Sequence, residues 1–541
     1  MKRKLLVALL VLALGGLAFF VRFWRLEEVP PGFYMDEASV GVEAWHIATE
    51  GKDSRGEPWP VVFRALEDWK HPIGIYAVAL SERVLGPTRL AVRLPFAVMG
   101  TLTVLLLGLL VLELNGDPRA AVLATLVLAV TPWHVHYSRV WEVTTLDFTA
   151  VLALWLYLRA RRRKKAHAFV IAGGAFALVL YSYVASKLLV PGLLLVILVA
   201  ELRERSAARR LEKRLQEEAA KAPKPIVDLG LDVPPEVPPP VSTRNALLFL
   251  VALVVVALPM VVAQLRHWDE IQTRFRAVSV FREASPLLAM GRAYAAHLDP
   301  AFLFVKGDAN PRHGPPGWGL LLLATSPFVA IALLKSLARG ELDDFLLLGW
   351  LLVYPLGACL TSEGIPHATR SFLAVPLFAI LAARGVTAVM DRLEVPSTRV
   401  GLFLVSAVLF LGNGAWVLED YFTTYAQKTG LRWTAGVERL VPGLLTLRPG
   451  IKRIHFMRPP FGDIGIIREH VLFLTKFDPA VDLDWFDFDD SEKGGWFLAH
   501  LPKDEAVVAW RVQHVGLPPI LKVEDGTGEV AFEVFRGLGA R

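Results

Sequence analysis

The sequence predicts an α-helical, polytopic membrane protein, and three observations carry that expectation. Hydrophobic residues make up 54% of the chain, above the share of roughly 45–50% usual in soluble domains. The excess is gathered into blocks, most of them able to cross a hydrocarbon core about 30 Å thick as helices. Charged residues fall mainly between the blocks, and the basic ones collect on alternate connections, as positive-inside topology requires.

The blocks run 5–21, 91–113, 120–133, 146–158, 168–183, 188–200, 246–263, 318–334, 345–359, 371–390 and 400–418, giving about eleven spans. The first follows Lys2-Arg3-Lys4 and leads into Arg22-Phe23-Trp24-Arg25. Its apolar run exceeds the core of about 7–15 residues of a cleavable signal, so a retained span with a cytoplasmic N-terminus is expected. Pro72–Leu85 holds Ser81, Glu82 and Arg83 and reads as an interfacial helix.

With the N-terminus inside, the inner connections are 114–119, 159–167, 201–245, 335–344 and 391–399. They carry the run Arg159 to Lys165, the basic residues between Arg203 and Lys224, Lys335 with Arg339, and Arg392 with Arg399. Within 201–245, a charged helix over 201–221 precedes a Pro-rich linker over 222–240. The outer connections include 22–90, 264–317 and 360–370. An odd number of spans puts the tail outside as well. The chain therefore divides into a membrane domain, 1–418, and an extracytoplasmic tail, 419–541. Short apolar runs in the tail, 506–512 and 530–534, are set between Gly/Pro turns and predict a small α/β unit.

The net charge of +6 sits largely in short loops, so no nucleic-acid partner is expected. Cys359 is the sole cysteine, which excludes an intramolecular disulfide and a thiolate metal cluster.

The candidate chemistry collects on the outer connections. Pro30-Pro31-Gly32-Phe33-Tyr34-Met35-Asp36-Glu37 closely follows the first span. Adjacent carboxylates there can supply a general base or bind a cation. The alternative is that Asp36 caps a helix starting at Glu37. Asp68-Trp69-Lys70-His71 and Arg93 lie at headgroup level, where cations beside aromatic rings suit a lipid phosphate or plain interfacial anchoring. Trp133-His134-Val135-His136-Tyr137-Ser138-Arg139 offers a His-x-His pair, but no third metal ligand is evident nearby. Tyr183 and Lys187 close another span, Lys306, Asp308, Arg312 and His313 form a broken polar loop, and His367 with Arg370 lies between two later spans. Asp482-Leu483-Asp484 lacks a preceding nucleotide-binding βαβ unit and reads as an acidic surface.

The stretches PPGFYMDEASVG, DWKHPIGIY with AVRLPFAVMGTLTV, TPWHVHYSRVWE, YSYVASKLLVP, FLFVKGDANPRH and LTSEGIPHATRSF occur in that order from Pro30 to Phe372. Together they resemble the bacterial branch of the protein-mannosyltransferase and aminoarabinose-transferase superfamily, the GT-C glycosyltransferases. The resemblance implies a GT-C-like fold and a sugar donor carried on a polyprenyl phosphate, with chemistry on the outer face. It places Asp36 as the base, with Glu37 beside it. Lys70, Arg139 and Arg370 fall where the family pattern has polar or basic residues near the donor, and together with Lys187 and the headgroup-level His71 and Arg93 they are the candidate ligands of the donor phosphate. Lys187 stands where many relatives are expected to have Arg. Tyr34, Tyr183, Lys306, Asp308, Arg312, His313 and His367 are then candidates to line the cavity. No cofactor is required, although a divalent metal has room to bind. The Trp-Trp-Asp-Tyr-Gly signature of oligosaccharyltransferase relatives is absent, which argues against a preassembled oligosaccharide.

The expected reaction moves a sugar from the polyprenyl-phosphate donor to an acceptor hydroxyl with inversion. The phosphate leaving group needs no acid to protonate it. Whether the acceptor is protein, lipid or glycan stays open. The rival reading, a lipid or sugar transporter, calls for ionisable groups near the bilayer midplane and repeated halves. Neither is evident here. A scaffold that merely displays the tail would give Asp36 no role.

Overall fold

The structure, a computed structural model, describes residues 2–541 apart from 67, 115, 142, 222–240, 458–464, 476–485, 488–499, 511, 512, 514, 525–527, 540 and 541. The Pro-rich linker and Asp482-Leu483-Asp484 lie outside the described residues.

Helix α1 (Lys2–Phe23) is followed by irregular backbone and then α2 (Met35–Glu50). The short antiparallel ribbon β1 (Phe63–Ala65) and β2 (Asp68–Lys70) leads into α3 (Pro72–Leu85). Helices α4 (Arg89–Leu114), α5 (Pro118–Val130), α6 (Pro132–Tyr137), α7 (Thr144–Arg163) and α8 (Ala166–Val179) build the first half of the bundle. The long α9 (Ser186–Lys221), α10 (Thr243–Arg266), α11 (Trp268–Val278) and α12 (Pro286–His297) follow. Then come α13 (Ser326–Arg339), α14 (Leu342–Val353), α15 (Leu356–Cys359), α16 (Ala374–Met390) and α17 (Pro396–Thr423).

Among the described residues, five helical segments are long and apolar enough to cross a membrane: Leu5–Phe23, Arg89–Leu114, Thr243–Arg266, Leu342–Cys359 and Pro396–Thr423. Helices α5, α8 and α16 are apolar but shorter. Residues of α5 and α16 are buried on almost every side, so these two form the centre of the bundle. The expected block 120–133 breaks at Thr131, because Pro132 cannot continue α5 and instead starts α6. The expected span 318–334 begins later than the apolar run: residues 318–322 are irregular, Leu323–Thr325 is a 3-10 turn, and α13 starts at Ser326. There Leu321 N–H donates to the Leu303 carbonyl rather than to a helical partner.

The two ends of the bundle differ in chemistry. At one end Arg159 and Arg162 pair with Glu113, Arg161 with Glu201 and Glu204, and Arg119 with Asp391. These belong to the connections expected on the inner face. At the other end Arg93 of α4 and Arg139, just beyond α6, donate to the backbone that follows α1, and Arg22 in the last turn of α1 donates to His134 of α6.

The tail begins with α18 (Tyr425–Thr429) and α19 (Val437–Thr446). Its strands are β3 (Arg453–Phe456), β4 (Phe486–Asp487), β5 (Glu505–Trp510), β6 (Leu521–Glu524) and β7 (Val530–Arg536), with α20 (Gly465–Leu474) between β3 and β4. They form one sheet of order β4-β3-β5-β7-β6, parallel across β4-β3-β5 and antiparallel beyond. The two apolar runs read from the sequence fall on β5 and β7. Helix α20 packs against α2: the Phe473 ring stacks on Phe33 at 4.7 Å, and His470 Nε2–H donates to the Phe33 carbonyl at 2.6 Å.

Small residues let the helices approach closely. A Cβ on Gly173 of α8 would overlap the Phe249 carbonyl oxygen of α10, which is backbone and cannot turn aside. Gly173→Ala should therefore destabilise the bundle by about 1–3 kcal/mol, read as a lower unfolding midpoint in detergent.

Candidate active site

The backbone between α1 and α2 is irregular, yet much of it is buried, so its carbonyls need donors. Arginines supply them. Arg139, fully buried, donates to the carbonyls of Val21, Arg22, Trp24, Arg25 and Val29 at 2.7–3.0 Å. Arg93, also fully buried, donates to Leu26, Pro30 and Gly32. Its Nε and Nη2 also grip Glu37 at 2.8 and 2.9 Å. Glu37 additionally accepts from the Tyr34 N–H at 3.1 Å. Three candidate residues thus have protein partners. Arg93 and Arg139 face backbone and carboxylate rather than a donor phosphate. Glu37, a catalytic candidate in the sequence, is 1% exposed and has both oxygens occupied, Oε1 by Arg93 and Oε2 by Arg93 and the Tyr34 N–H.

This anchoring presents Asp36. Helix α2 begins at Met35 with Tyr34 in the cap position, so Asp36 lies in the first turn rather than at the cap. Its carboxylate meets Lys70 Nζ at 2.7 Å and Arg312 Nη1 at 3.9 Å, and its side chain remains 23% exposed. The Arg312 guanidinium lies over the Tyr34 ring, 3.9 Å from its centroid. Lys70 also reaches Asp68 at 3.3 Å and lies over Trp141. Burial alone would lower the Lys70 pKa. The carboxylates of Asp36 and Asp68 more than reverse that, and its ammonium holds its proton above the ordinary lysine range.

A basic patch adjoins this pair. His71 is buried and its pKa is pushed down to about 3, by burial first and then by Lys187 and Lys70. The imidazole is thus neutral, and its Nε2 has no hydrogen-bond partner among the described residues. Lys187 Nζ donates to Gln264 at the end of α10, at 2.7 Å. Tyr183 is half-buried against the bundle core.

The second loop cluster is linked to the first through Arg312. Asp308 accepts from His313 Nδ1 at 2.8 Å and from the amides of Ala368 and Asn310. Burial alone would raise its pKa, but these donors and the His313 charge outweigh that and keep the carboxylate ionised. His367 packs against His313 with ring centroids 4.6 Å apart. Arg370 donates to Thr361 and Glu363 within its own loop. Lys306 ends the π-helical turn Phe302–Lys306, exposed, and makes no ion pair among the described residues. His134 and His136 have protein partners instead of a shared metal. Arg22 donates to His134 Nδ1, while His136 bonds Tyr421 through Nδ1 and donates from Nε2 to the Arg312 carbonyl at 2.7 Å.

Comparison with known proteins agrees with this architecture. Residues 70–213 match the model of the dolichyl-phosphate-mannose-protein mannosyltransferase family. No curated protein matches the chain in sequence. Among solved structures, ArnT from Cupriavidus metallidurans bound to undecaprenyl phosphate superposes with TM-score 0.53 at 12% identity, covering 100% of this chain and 99% of that one. The Archaeoglobus fulgidus oligosaccharyltransferase tethered with an acceptor peptide gives TM-score 0.52 at 14% identity, over 94% of this chain and 69% of that one. The same organism's AglB, in complex with an inhibitory peptide and a dolichol-phosphate, gives 0.51 at 13%, over 92% and 66%. The chain has the GT-C fold.

Within this GT-C bundle, sequence reasoning left two site neighbours out of the assigned set. Asp68 stands out in the sequence only as part of the stretch 68–71, although it shares Lys70 with Asp36. Gln264, which orients Lys187, signals itself only as a polar residue at the end of an apolar span. The Arg93–Glu37 pair yields a prediction. Arg93→Ala leaves Glu37 buried without its cation, a loss of about 3–5 kcal/mol. Thermal unfolding in detergent should show it, and a variant as stable as wild type would return Arg93 to the ligand-facing set.

Proposed function

We propose that this protein transfers a sugar from a polyprenyl-phosphate-linked donor to an acceptor hydroxyl. The observation that carries the reading is Asp36. It is a partly exposed carboxylate fixed at the start of α2 between two cations, beside the patch of Lys70, His71 and Lys187. The solved GT-C structures bound to undecaprenyl phosphate and to dolichol-phosphate support a lipid phosphate as the carrier.

On this reading the acceptor hydroxyl first hydrogen-bonds to Asp36. Its oxygen attacks the anomeric carbon while the proton passes to the carboxylate. The bond from that carbon to the phosphate oxygen breaks, and its electron pair leaves with the phosphate. Lys70 and Lys187 stabilise the growing charge, and the neutral His71 offers a further contact. One displacement inverts the anomeric centre. The chemistry takes place at the outer face, with about eleven spans below it and the tail on the same side. Tyr34, Arg312 and the 307–314 loop roof the acceptor side.

The test is transfer of radiolabelled sugar by purified protein, from a panel of polyprenyl-phosphate donors to peptide and glycolipid acceptors. Asp36→Asn should lower turnover by about 10²–10⁴-fold with little change in unfolding midpoint, since Lys70 keeps Asp68. Turnover within tenfold of wild type would remove Asp36 from the role of base. Lys187→Ala and His71→Ala should raise KM for the donor more than they lower kcat. Equal KM values would place the phosphate elsewhere. The anomeric configuration of the product, read by NMR, should be opposite to that of the donor.

A further inference from the structure

We propose that Glu43 of α2 and Glu469 of α20 form a protonation-dependent latch between the tail and the bundle, which tightens as the medium becomes more acidic. The latch lies at a close helix contact. The Phe473 ring stacks on Phe33, and a Cβ on Gly41 would overlap the Phe473 ring, so α20 approaches α2 as far as a glycine permits. His470 Nε2–H donates to the Phe33 carbonyl at 2.6 Å. Phe33 stands three residues before Asp36, so whatever loosens this contact loosens the segment that presents Asp36.

Two carboxylates act on each other beside the contact. Glu469 precedes Phe473 by one helical turn and shares its face, and its side chain is 16% exposed. Glu43 is 4% exposed and accepts from the Ser54 amide and hydroxyl at 3.0 and 2.6 Å. Arg468 pairs with Glu469 at 3.2 Å, but it is half exposed and its charge is screened by solvent. The Glu469 pKa is pushed up to about 7, by burial first, with Arg468 opposing and the Glu43 charge adding to the rise. Glu43 is itself raised, by burial first, with Ser54 and His46 opposing and Asp53 adding. Helix α19, also packed on α20, carries Glu438 and Arg439, and Glu438 pairs with Arg89. The charges that act on Glu469 are those of Arg468 and Glu43.

The direction of the effect follows from proton binding. Undocked, Glu469 meets water and titrates near 4.5, as an ordinary glutamate does. Docked, it keeps its proton up to about 7. Between those values the docked form binds a proton that the undocked form has released. Docking is therefore strongest below pH 4.5, weakens as the pH rises from 4.5 to 7, and levels off above that window. Each pH unit inside the window changes the docking constant by up to about tenfold, so the whole window amounts to on the order of 100-fold. The two carboxylates interact, so the pair sets the midpoint rather than Glu469 alone.

The experiment follows amide hydrogen exchange of α20 in the full chain, purified in detergent, between pH 5 and pH 8, corrected for the intrinsic rate. Protection of α20 should fall by roughly 100-fold across that range, while α16 at the centre of the bundle keeps its protection. Glu469→Gln should hold the protection of α20 within about threefold at every pH. Glu43→Gln should shrink the fall, and serves if Glu469→Gln folds poorly. The inference is overturned if wild-type protection does not change with pH, or if it falls as far in either variant as in the wild type. It is equally overturned if calcium chloride at pH 8 restores protection as acid does, since a bridging cation would then be the latch. Exchange is read without turnover, so the latch stands or falls separately from the sugar-transfer reading.

Discussion

Irregular backbone buried at the end of a membrane bundle must find hydrogen-bond donors within the protein, because water is not there to supply them. The segment between α1 and α2 meets that constraint with guanidinium groups. Arg22, Arg93 and Arg139 together serve carbonyls from Ala18 through Gly32, and from Leu128 and Ala129 at the end of α5. Each guanidinium carries five donors in a planar fork, so one side chain can satisfy several carbonyls that converge from different directions. Carbonyls at the C-terminal ends of α1 and α5 also carry the negative end of the helix dipole, which suits a cation there.

The position of Asp36 depends on this arrangement. Arg93 holds both the carbonyls of the approach segment and the Glu37 carboxylate, so the start of α2 is tied to the segment that leads into it. The tail adds a second grip on Phe33, through His470, Thr434 and the Phe473 ring. A carboxylate three residues on is thereby fixed from the bundle and from the tail at once. Helix positions set in this way are better suited to reproducible chemistry than a free loop.

The sequence made the fold legible where a single physical signal dominates. Apolar blocks of span length and the alternation of basic connections marked the bundle and its two ends, and the structure joins Arg159, Arg161 and Arg162 to acids at one end as that alternation implies. The ends of elements were less legible. The irregular start before α13 arises from backbone pairing with residue 303, a long-range contact that composition does not carry. Among site residues, Asp36 and Lys70 stand out in the sequence separately, as a carboxylate after the first span and a cation at headgroup level, and only the structure puts them 2.7 Å apart. Arg93 and Arg139 are candidate cations in the sequence as well, and in the structure they serve backbone carbonyls, Arg93 also holding Glu37. A sequence gives the type and depth of a side chain, but not which carbonyls lack partners, and that deficit decides what a buried arginine does.

A division of labour between the cations follows. The fully buried arginines near the site carry structural hydrogen bonds, while the basic patch that adjoins Asp36 holds two lysines and a buried, neutral histidine, with Arg312 on the other side of the carboxylate. An arginine fork grips a carboxylate or phosphate in one planar geometry, whereas an ammonium is a compact charge with rotatable donors. Were Lys187 an arginine, a bidentate grip would favour one position of a bound phosphate. A sugar–phosphate bond that lengthens as it breaks moves the phosphate, and lysines can follow that movement without loss of attraction. On the transfer reading, the missing fork at Lys187 is therefore compatible with a phosphate that must be held before reaction and held more strongly as it leaves. Arg312, anchored by the His136 contact to its carbonyl and stacked on Tyr34, then remains on the acceptor side, where a fixed geometry is the advantage.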